Sequence, residues 1–130
     1  MKIYMTARED YLKAIFVLSK KIGEVHSVDV ARYLGITKPS VSQAVSVLKK
    51  EGYLLMDSKR VLHLTEMGEE IAEKVYERHC FFTSYLVSLG VDPQIAEEDA
   101  CRMEHAISEE SFEKIKQRVS GSFPQVGIAC

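Results

Sequence analysis

Long apolar runs are missing from this chain of 130 residues. Its longest charge-poor stretch, His79 to Val91, is too short and too polar to span a bilayer. No secretory h-region is expected, because Met1-Lys2-Ile3-Tyr4-Met5-Thr6 turns charged at once. Cysteine is scarce: Cys80, Cys101 and Cys130 are odd in number and include no Cys-x-x-Cys pair. That usage argues against a disulfide framework and suits a reducing cytoplasm, where a thiol is a core residue or a ligand. Internal repeats and low-complexity segments are absent too. Net charge is nearly absent, at −2.

What is present is ordinary globular composition, 46% hydrophobic and 28% charged, which excludes intrinsic disorder. The length serves one modest core or two small ones. The small net charge hides a division. Residues 1–64 carry 11 basic and 6 acidic side chains, whereas residues 65–130 carry 6 basic and 13 acidic ones. A basic half joined to an acidic half implies two jobs.

Helix signals dominate. Thr6-Ala7-Arg8-Glu9 matches a capping box, and Tyr11, Leu12, Ile15, Phe16 and Leu18 form an apolar stripe ending near Lys20–Gly23. Ser27 is placed to cap a short second helix with Val28, Ala31 and Leu34 inward, stopped by Gly35. Thr37-Lys38-Pro39-Ser40 opens a third, with proline where its missing donor costs nothing. Val41, Val45 and Leu48 line its inner face, and Gly52 closes it. Two such helices across a short turn predict a helix-turn-helix. The β-prone runs 53–56 and 61–64 flank Asp57-Ser58-Lys59-Arg60 and predict a hairpin, so the unit reads as a winged helix. Thr65 then caps a long helix through Gly68 to about Leu89. Further helices run from Asp92-Pro93 to about Ile107, and from Ser108-Glu109-Glu110 to near Gly121. The tail 122–130 has no periodicity.

The third helix presents Ser40, Ser42, Gln43, Ser46, Lys49 and Lys50 on its outer face. Short side chains let a helix lie deep in a major groove, the Gln43 amide suits a base edge, and lysines suit phosphates. Lys38, Lys59 and Arg60 extend the basic surface. A solvated helix face has the same look, but the Gly35 turn, the hairpin and the local positive charge together favour DNA.

In the helix expected from Pro93 to Ile107, an apolar stripe of Ala96, Ala100, Met103 and Ile107 marks the core face. Beside it run Glu97, Cys101, Glu104 and His105. At this spacing Cys101, Glu104 and His105 point the same way within one turn. Thiolate, carboxylate and imidazole make a partial shell for a divalent transition metal. His79 and Asp10 are candidates to complete it. A solvated acidic edge and a buried small thiol remain the bland alternatives, and Cys80 beside His79 reads as core packing. Nucleophilic catalysis by Cys101 with His105 lacks an oxyanion hole and an orienting third group.

Three blocks carry a resemblance: Met5-Thr6-Ala7-Arg8-Glu9-Asp10-Tyr11-Leu12-Lys13-Ala14-Ile15, Lys38-Pro39-Ser40-Val41-Ser42-Gln43, and Asp99-Ala100-Cys101-Arg102-Met103-Glu104-His105. In this order and separation they resemble the diphtheria toxin repressor family of iron- and manganese-dependent transcriptional regulators, over roughly residues 3–120. The resemblance implies a mainly α fold, an N-terminal winged helix-turn-helix (residues 1–64) followed by an all-helical metal-binding and dimerisation domain (65–121) and a tail (122–130). Without the SH3-like domain that some members add, the chain looks like the short form of the manganese-type branch. The implied main metal site is Asp10, Cys101, Glu104 and His105. The set is a hybrid: the iron branch has methionine at the position of Asp10, and the manganese branch typically has glutamate at that of Cys101. Lys13 stands where the manganese branch has a glutamate ligand. His79 matches a second-site ligand whose usual acidic companion is Thr83 here, leaving Glu97 or Glu98 to assist. For DNA, Thr37, Pro39, Ser42 and Gln43 fall on the family's contacting positions.

The function this implies is repression of metal-uptake genes. Mn(II) or Fe(II), with Zn(II) or Co(II) as in-vitro substitutes, ties Asp10 to the acidic half and fits a homodimer to a palindromic operator in the cytoplasm. The competing readings are a winged-helix regulator that answers to a small organic ligand and a metal-dependent enzyme.

Overall fold

The computed structural model describes residues 5–119 and divides the chain into two units, Met1–Glu73 and Lys74–Cys130. In the first, α1 (Met5–Ile22) precedes α2 (Ser27–Leu34) and α3 (Lys38–Lys50), followed by the hairpin β1 (Leu54–Met56) and β2 (Leu62–Leu64). The helix α4 (Glu66–Ser88) contains the division between the units. The second unit continues with α5 (Pro93–Met103) and α6 (Glu109–Val119). Among the described residues no helix is long and apolar enough to cross a membrane.

Each boundary has a local cause. The helix α1 begins at Met5, so Thr6 is already helical rather than a cap. The α2 N-cap is His26, one residue before the expected Ser27, and its backbone N–H donates to Asp29 Oδ2 at 2.8 Å. Ala31 is buried as expected, together with Val30, while Leu34 is half-buried and Val28, expected inward, is exposed. Gly35 ends the helix with φ 69°, a left-handed conformation in which its N–H reaches Ala31 O. Thr37 caps α3 by accepting from the Ser40 N–H at 3.3 Å. Buried Val41, Ala44, Val45 and Leu48 are its inner face.

The hairpin is antiparallel, with Leu54 opposite Leu64, Leu55 opposite His63 and Met56 opposite Leu62. Alternation sends Leu54 and Leu62 into the core of Leu12, Ile15, Val25, Val30 and Leu48, and leaves Leu55 and His63 outside. The Leu62 N–H donates to Val25 O at 2.8 Å, tying the hairpin to the chain before α2. Arg8 closes the other end, with Nη2 3.0 Å from Glu51 Oε2 and its guanidinium over the Tyr53 ring.

In the second unit Phe82, Ala100 and Phe112 form the core, with Phe81, Met103 and Ile107 packed against it. Phe81 meets Phe82 and Phe112 edge to face, at centroid distances of 5.5 and 5.4 Å. Ser108 caps α6, its hydroxyl accepting from the Ser111 N–H at 3.1 Å. Cys80 is disulfide-bonded rather than the packed thiol expected. The expected end of α6 near Gly121 and the tail 122–130 lie outside the described residues.

Candidate metal centre and nucleic-acid surface

The second unit gathers donors from two helices. His79 comes from α4, Cys101 from α5, and Glu104 is the α5 C-cap. The helix stops at Met103, so His105 lies in a following turn rather than on a continuous helix to Ile107. Glu104 keeps its helical place because its N–H still reaches Ala100 O at 2.9 Å. Its carboxyl group is wholly buried, with His79 Nδ1 3.0 Å from Oε2 and His105 Nε2 3.3 Å from Oε1. Cys101 Sγ stands 3.8 Å from the same His79 nitrogen.

One ligand atom each from His79, Cys101 and Glu104 fits within 4.8 Å of the others. Nitrogen, sulfur and carboxylate oxygen at that spacing suit a divalent transition ion. His79, one of the two residues offered to complete the set, stands with Cys101 and Glu104. Glu97 stands at the edge, largely exposed, with Oε1 3.9 Å from His79 Nε2. Glu98 is exposed on α5.

Arg78 was not singled out by its sequence. Its Nη1 donates to Ile107 O at 2.8 Å and to Glu104 O at 3.3 Å, holding the turn after α5 beside His79. Only its place next to a candidate ligand could have signalled it. Thr83, where an acidic companion was expected, donates its hydroxyl to His79 O at 2.7 Å and so orients backbone. In the first unit Asp10 is half-buried on α1, and Lys13 is buried on the same helix. Burial first, and then the charge of Asp10, push the Tyr11 hydroxyl above its usual range.

The residues expected to face DNA all lie in the first unit. Lys38, Ser42, Gln43, Ser46, Lys49 and Lys50 are exposed along α3. Thr37 and Ser40 are committed to the cap, the Thr37 hydroxyl donating to Ser40 Oγ at 2.8 Å, with Pro39 between them in the first turn. A groove of about 370 Å³ runs between the start of α2, the outer face of α3 and the hairpin, lined by Lys38, Lys49 and Arg60 beside apolar Val28, Val45 and Met56. The hairpin tip separates the two cations expected to act together. Arg60 has φ 64°, a strained conformation for a side chain of its size, and faces this groove. Lys59 lines a different hollow with Glu24, Asp57 and His63.

Asp57 organises that tip. Its Oδ1 accepts from the N–H groups of Lys59 (2.8 Å) and Val61 (3.0 Å), and His63 Nε2 lies 3.0 Å from Oδ2. The His63 hydrogen bond first, then the Val61 and Lys59 amides, hold the Asp57 carboxyl below the usual carboxylate range. Lowering works toward stability above the ordinary carboxylate value, so the tip keeps Asp57 ionised at neutrality. It loses that support only as pH falls through the depressed value.

Residues 4–62 match the family model for the iron dependent repressor N-terminal DNA binding domain. Residues 65–125 match the model for the iron dependent repressor metal binding and dimerisation domain. The transcriptional regulator MntR of Escherichia coli O6:H1 (strain CFT073) is 37% identical over 108 residues, covering 83% of this chain and 70% of that protein. The HTH-type transcriptional regulator MntR of Lysinibacillus sphaericus is 32% identical over 111 residues, 85% of this chain and 80% of that one. Among solved structures, the manganese regulator SloR superposes with a TM-score of 0.76 at 27% identity, covering 86% of this chain. This chain spans about half of the SloR structure, 53% of its length.

Proposed function

Because the chain belongs to the iron dependent repressor family, matched in tandem by its DNA-binding and its metal-binding and dimerisation models, we propose that it is a metal-dependent repressor acting as a homodimer on a palindromic operator. Its relatives are transcriptional regulators and not enzymes, and the match to a metal-binding domain supports a metal effector over an organic ligand. One observation carries the reading: His79, Cys101 and Glu104 converge inside the stretch that matches the metal-binding model.

The proposed ligands are His79, Cys101, Glu104 and His105, with Glu97 at the edge. Asp10, on α1, is added as the sequence offered it. A divalent cation, when bound, supplies positive charge beside a carboxylate that is otherwise buried against two imidazoles. Ligation needs neutral imidazoles and the Cys101 thiolate, so affinity falls as pH falls. The imidazoles and carboxylate suit Fe(II) and Mn(II), the proposed effectors, while the Cys101 thiolate is a softer donor than Mn(II) prefers. Zn(II) and Co(II) bind such donors at least as tightly in vitro, because intrinsic affinity does not follow biological choice. A preference of about 3 kcal/mol for the DNA-binding arrangement raises its population about a hundredfold, enough for a switch. For DNA, Gln43 and Ser42 read base edges, Lys38, Lys49 and Arg60 hold phosphates, and Thr37, Pro39 and Ser40 set the start of α3. Lys59 is kept as an outlying phosphate contact. The cytoplasm is the proposed place of action.

A duplex selected from a random-sequence pool with Mn(II) present serves as the operator. With Mn(II) or Fe(II) it is expected to bind at least about tenfold tighter than with EDTA, a difference of about 1.4 kcal/mol. Affinity indifferent to the chelator overturns the metal switch. In the same assay Gln43→Ala is expected to lose about 1–3 kcal/mol of discrimination at one base pair per half-site. Unchanged discrimination removes Gln43 from the readout.

A further inference from the structure

Among the proposed ligands, His105 lies furthest from the support of a helix. It follows Glu104, the C-cap of α5, and the chain then turns through Ala106 and Ile107 before Ser108 caps α6. We propose that Arg78 is the positioning residue of the metal centre: its guanidinium fixes the turn on both sides of His105, so that the imidazole is in place before a metal arrives. The inference rests on the metal-binding reading above and adds to it a residue that touches no metal.

The end of a helix leaves its last carbonyl groups without partners inside the helix. Beyond α5 the turn answers one of them itself, with the Ala106 N–H on Met103 O at 3.1 Å. Arg78 Nη1 donates to two more, Glu104 O at 3.3 Å and Ile107 O at 2.8 Å, and these two carbonyls stand on either side of His105 in the chain. One nitrogen therefore sets the span of the segment that carries the imidazole. The guanidinium is held in turn, 5.3 Å from the centroid of Phe112 in the core of this unit. The residue before it, Glu77, binds Lys116 of α6 at 2.9 Å. So placed, His105 has its side chain only 9% exposed and its Nε2 3.3 Å from Glu104 Oε1. Two effects of Arg78 on a metal then have opposite signs. As a cation near a cation site it repels the ion, and deleting its charge would tighten binding. As the support of the turn it orders His105 in advance, and deleting it loosens binding. Hydrogen-bonded support of ligands is worth about ten- to hundredfold in metal affinity, and the carbonyl dipoles that the guanidinium faces weaken the repulsion, so support wins.

Co(II) serves as the probe, because it binds such donors more tightly than Mn(II) and reports its ligands by visible absorption. Its affinity is measured on the full chain for wild type, Arg78→Met, Arg78→Lys, His105→Ala and the double variant Arg78→Met/His105→Ala, beside thermal melts of the metal-free proteins. Methionine keeps an unbranched stem and removes every donor, whereas lysine keeps the charge without the flat fork. Arg78→Met is expected to lose about ten- to hundredfold in Co(II) affinity, and Arg78→Lys about three- to tenfold. On the His105→Ala background, loss of Arg78 is expected to cost less than about a further twofold, because its effect passes through His105. A full further loss in the double variant overturns the proposal, since Arg78 then acts elsewhere. So does wild-type or tighter affinity in Arg78→Met, with a lowered melt showing a structural role only. Where Arg78→Met fails to fold, wild-type affinity in Arg78→Lys overturns the proposal instead. Wild-type affinity in His105→Ala removes His105 from the site and this proposal with it. A wild-type chain that binds no Co(II) overturns the metal reading itself.

Discussion

Glu104→Gln is expected to abolish metal-stimulated operator binding while leaving a folded protein. The substitution keeps the shape of a wholly buried side chain and removes its charge. Both oxygens are in use, one 3.0 Å from His79 and the other 3.3 Å from His105, so one change reaches every imidazole of the site. An amide is a poor ligand for a divalent ion and can present its NH2 group to only one side. Removing a hydrogen-bonding partner of a ligand already costs about ten- to hundredfold in metal affinity, so loss of the central carboxylate is expected to cost more than about a hundredfold. The fold tolerates the change better, because an uncharged amide in a dry site avoids the penalty of an unpaired buried carboxylate. Titration calorimetry with Mn(II) and a far-ultraviolet circular dichroism melt separate the two effects. Wild-type Mn(II) affinity in the variant removes Glu104 from the site. A collapsed melt with retained affinity gives it a structural role only.

Sequence signals located what is decided locally. Gly35 with its left-handed turn, the Thr37 hydroxyl on the Ser40 N–H, and Thr65 at the start of α4 each depend on residues within four positions. Two misses were local, the start of α1 and the His26 cap of α2, and the others depend on contacts distant in sequence. Apolar periodicity continues through Ile107, yet α5 ends at Met103, and Arg78, 26 and 29 residues away from the carbonyls it binds, holds the turn beyond it. Periodicity records which side of a helix is apolar and does not record where its backbone finds other partners. His79, which the sequence offered as a candidate to complete the set, does reach Cys101 and Glu104 across 22 and 25 residues, though spacing along one helix could not say which atoms meet. Lys59 and Arg60 are neighbours in sequence, and a single left-handed residue sends them into different hollows.

Gly68→Ala reverses the usual sign of its substitution. In a helix interior, glycine to alanine ordinarily stabilises by about 1 kcal/mol through backbone entropy. Here a Cβ at Gly68 would lie 2.2 Å from the Tyr53 carbonyl oxygen and 3.2 Å from its carbon. Neither atom is the end of a flexible side chain. The approach is fixed from both directions: Thr65 N–H donates to that same Tyr53 oxygen at 3.0 Å, and the Thr65 hydroxyl donates to Gly52 O at 2.7 Å while accepting from the Gly68 N–H at 3.2 Å. Making room therefore moves α4 away from the start of β1 and stretches three hydrogen bonds, each worth about 1 kcal/mol. Overpacking adds about 1–3 kcal/mol, so a net loss of about 3 kcal/mol is expected after the helix-propensity gain. For a unit of this size that is a fall in Tm of roughly 12–24 °C. Glu69→Ala, the next residue and exposed, is the control and should move Tm little. Because Tyr53 leads directly into β1, the same displacement reaches the hairpin that carries Arg60. Operator affinity is therefore expected to fall even below the new Tm. A Gly68→Ala protein that melts at or above wild type shows that the Tyr53 carbonyl can yield, and that α4 is not fastened to the wing at this point.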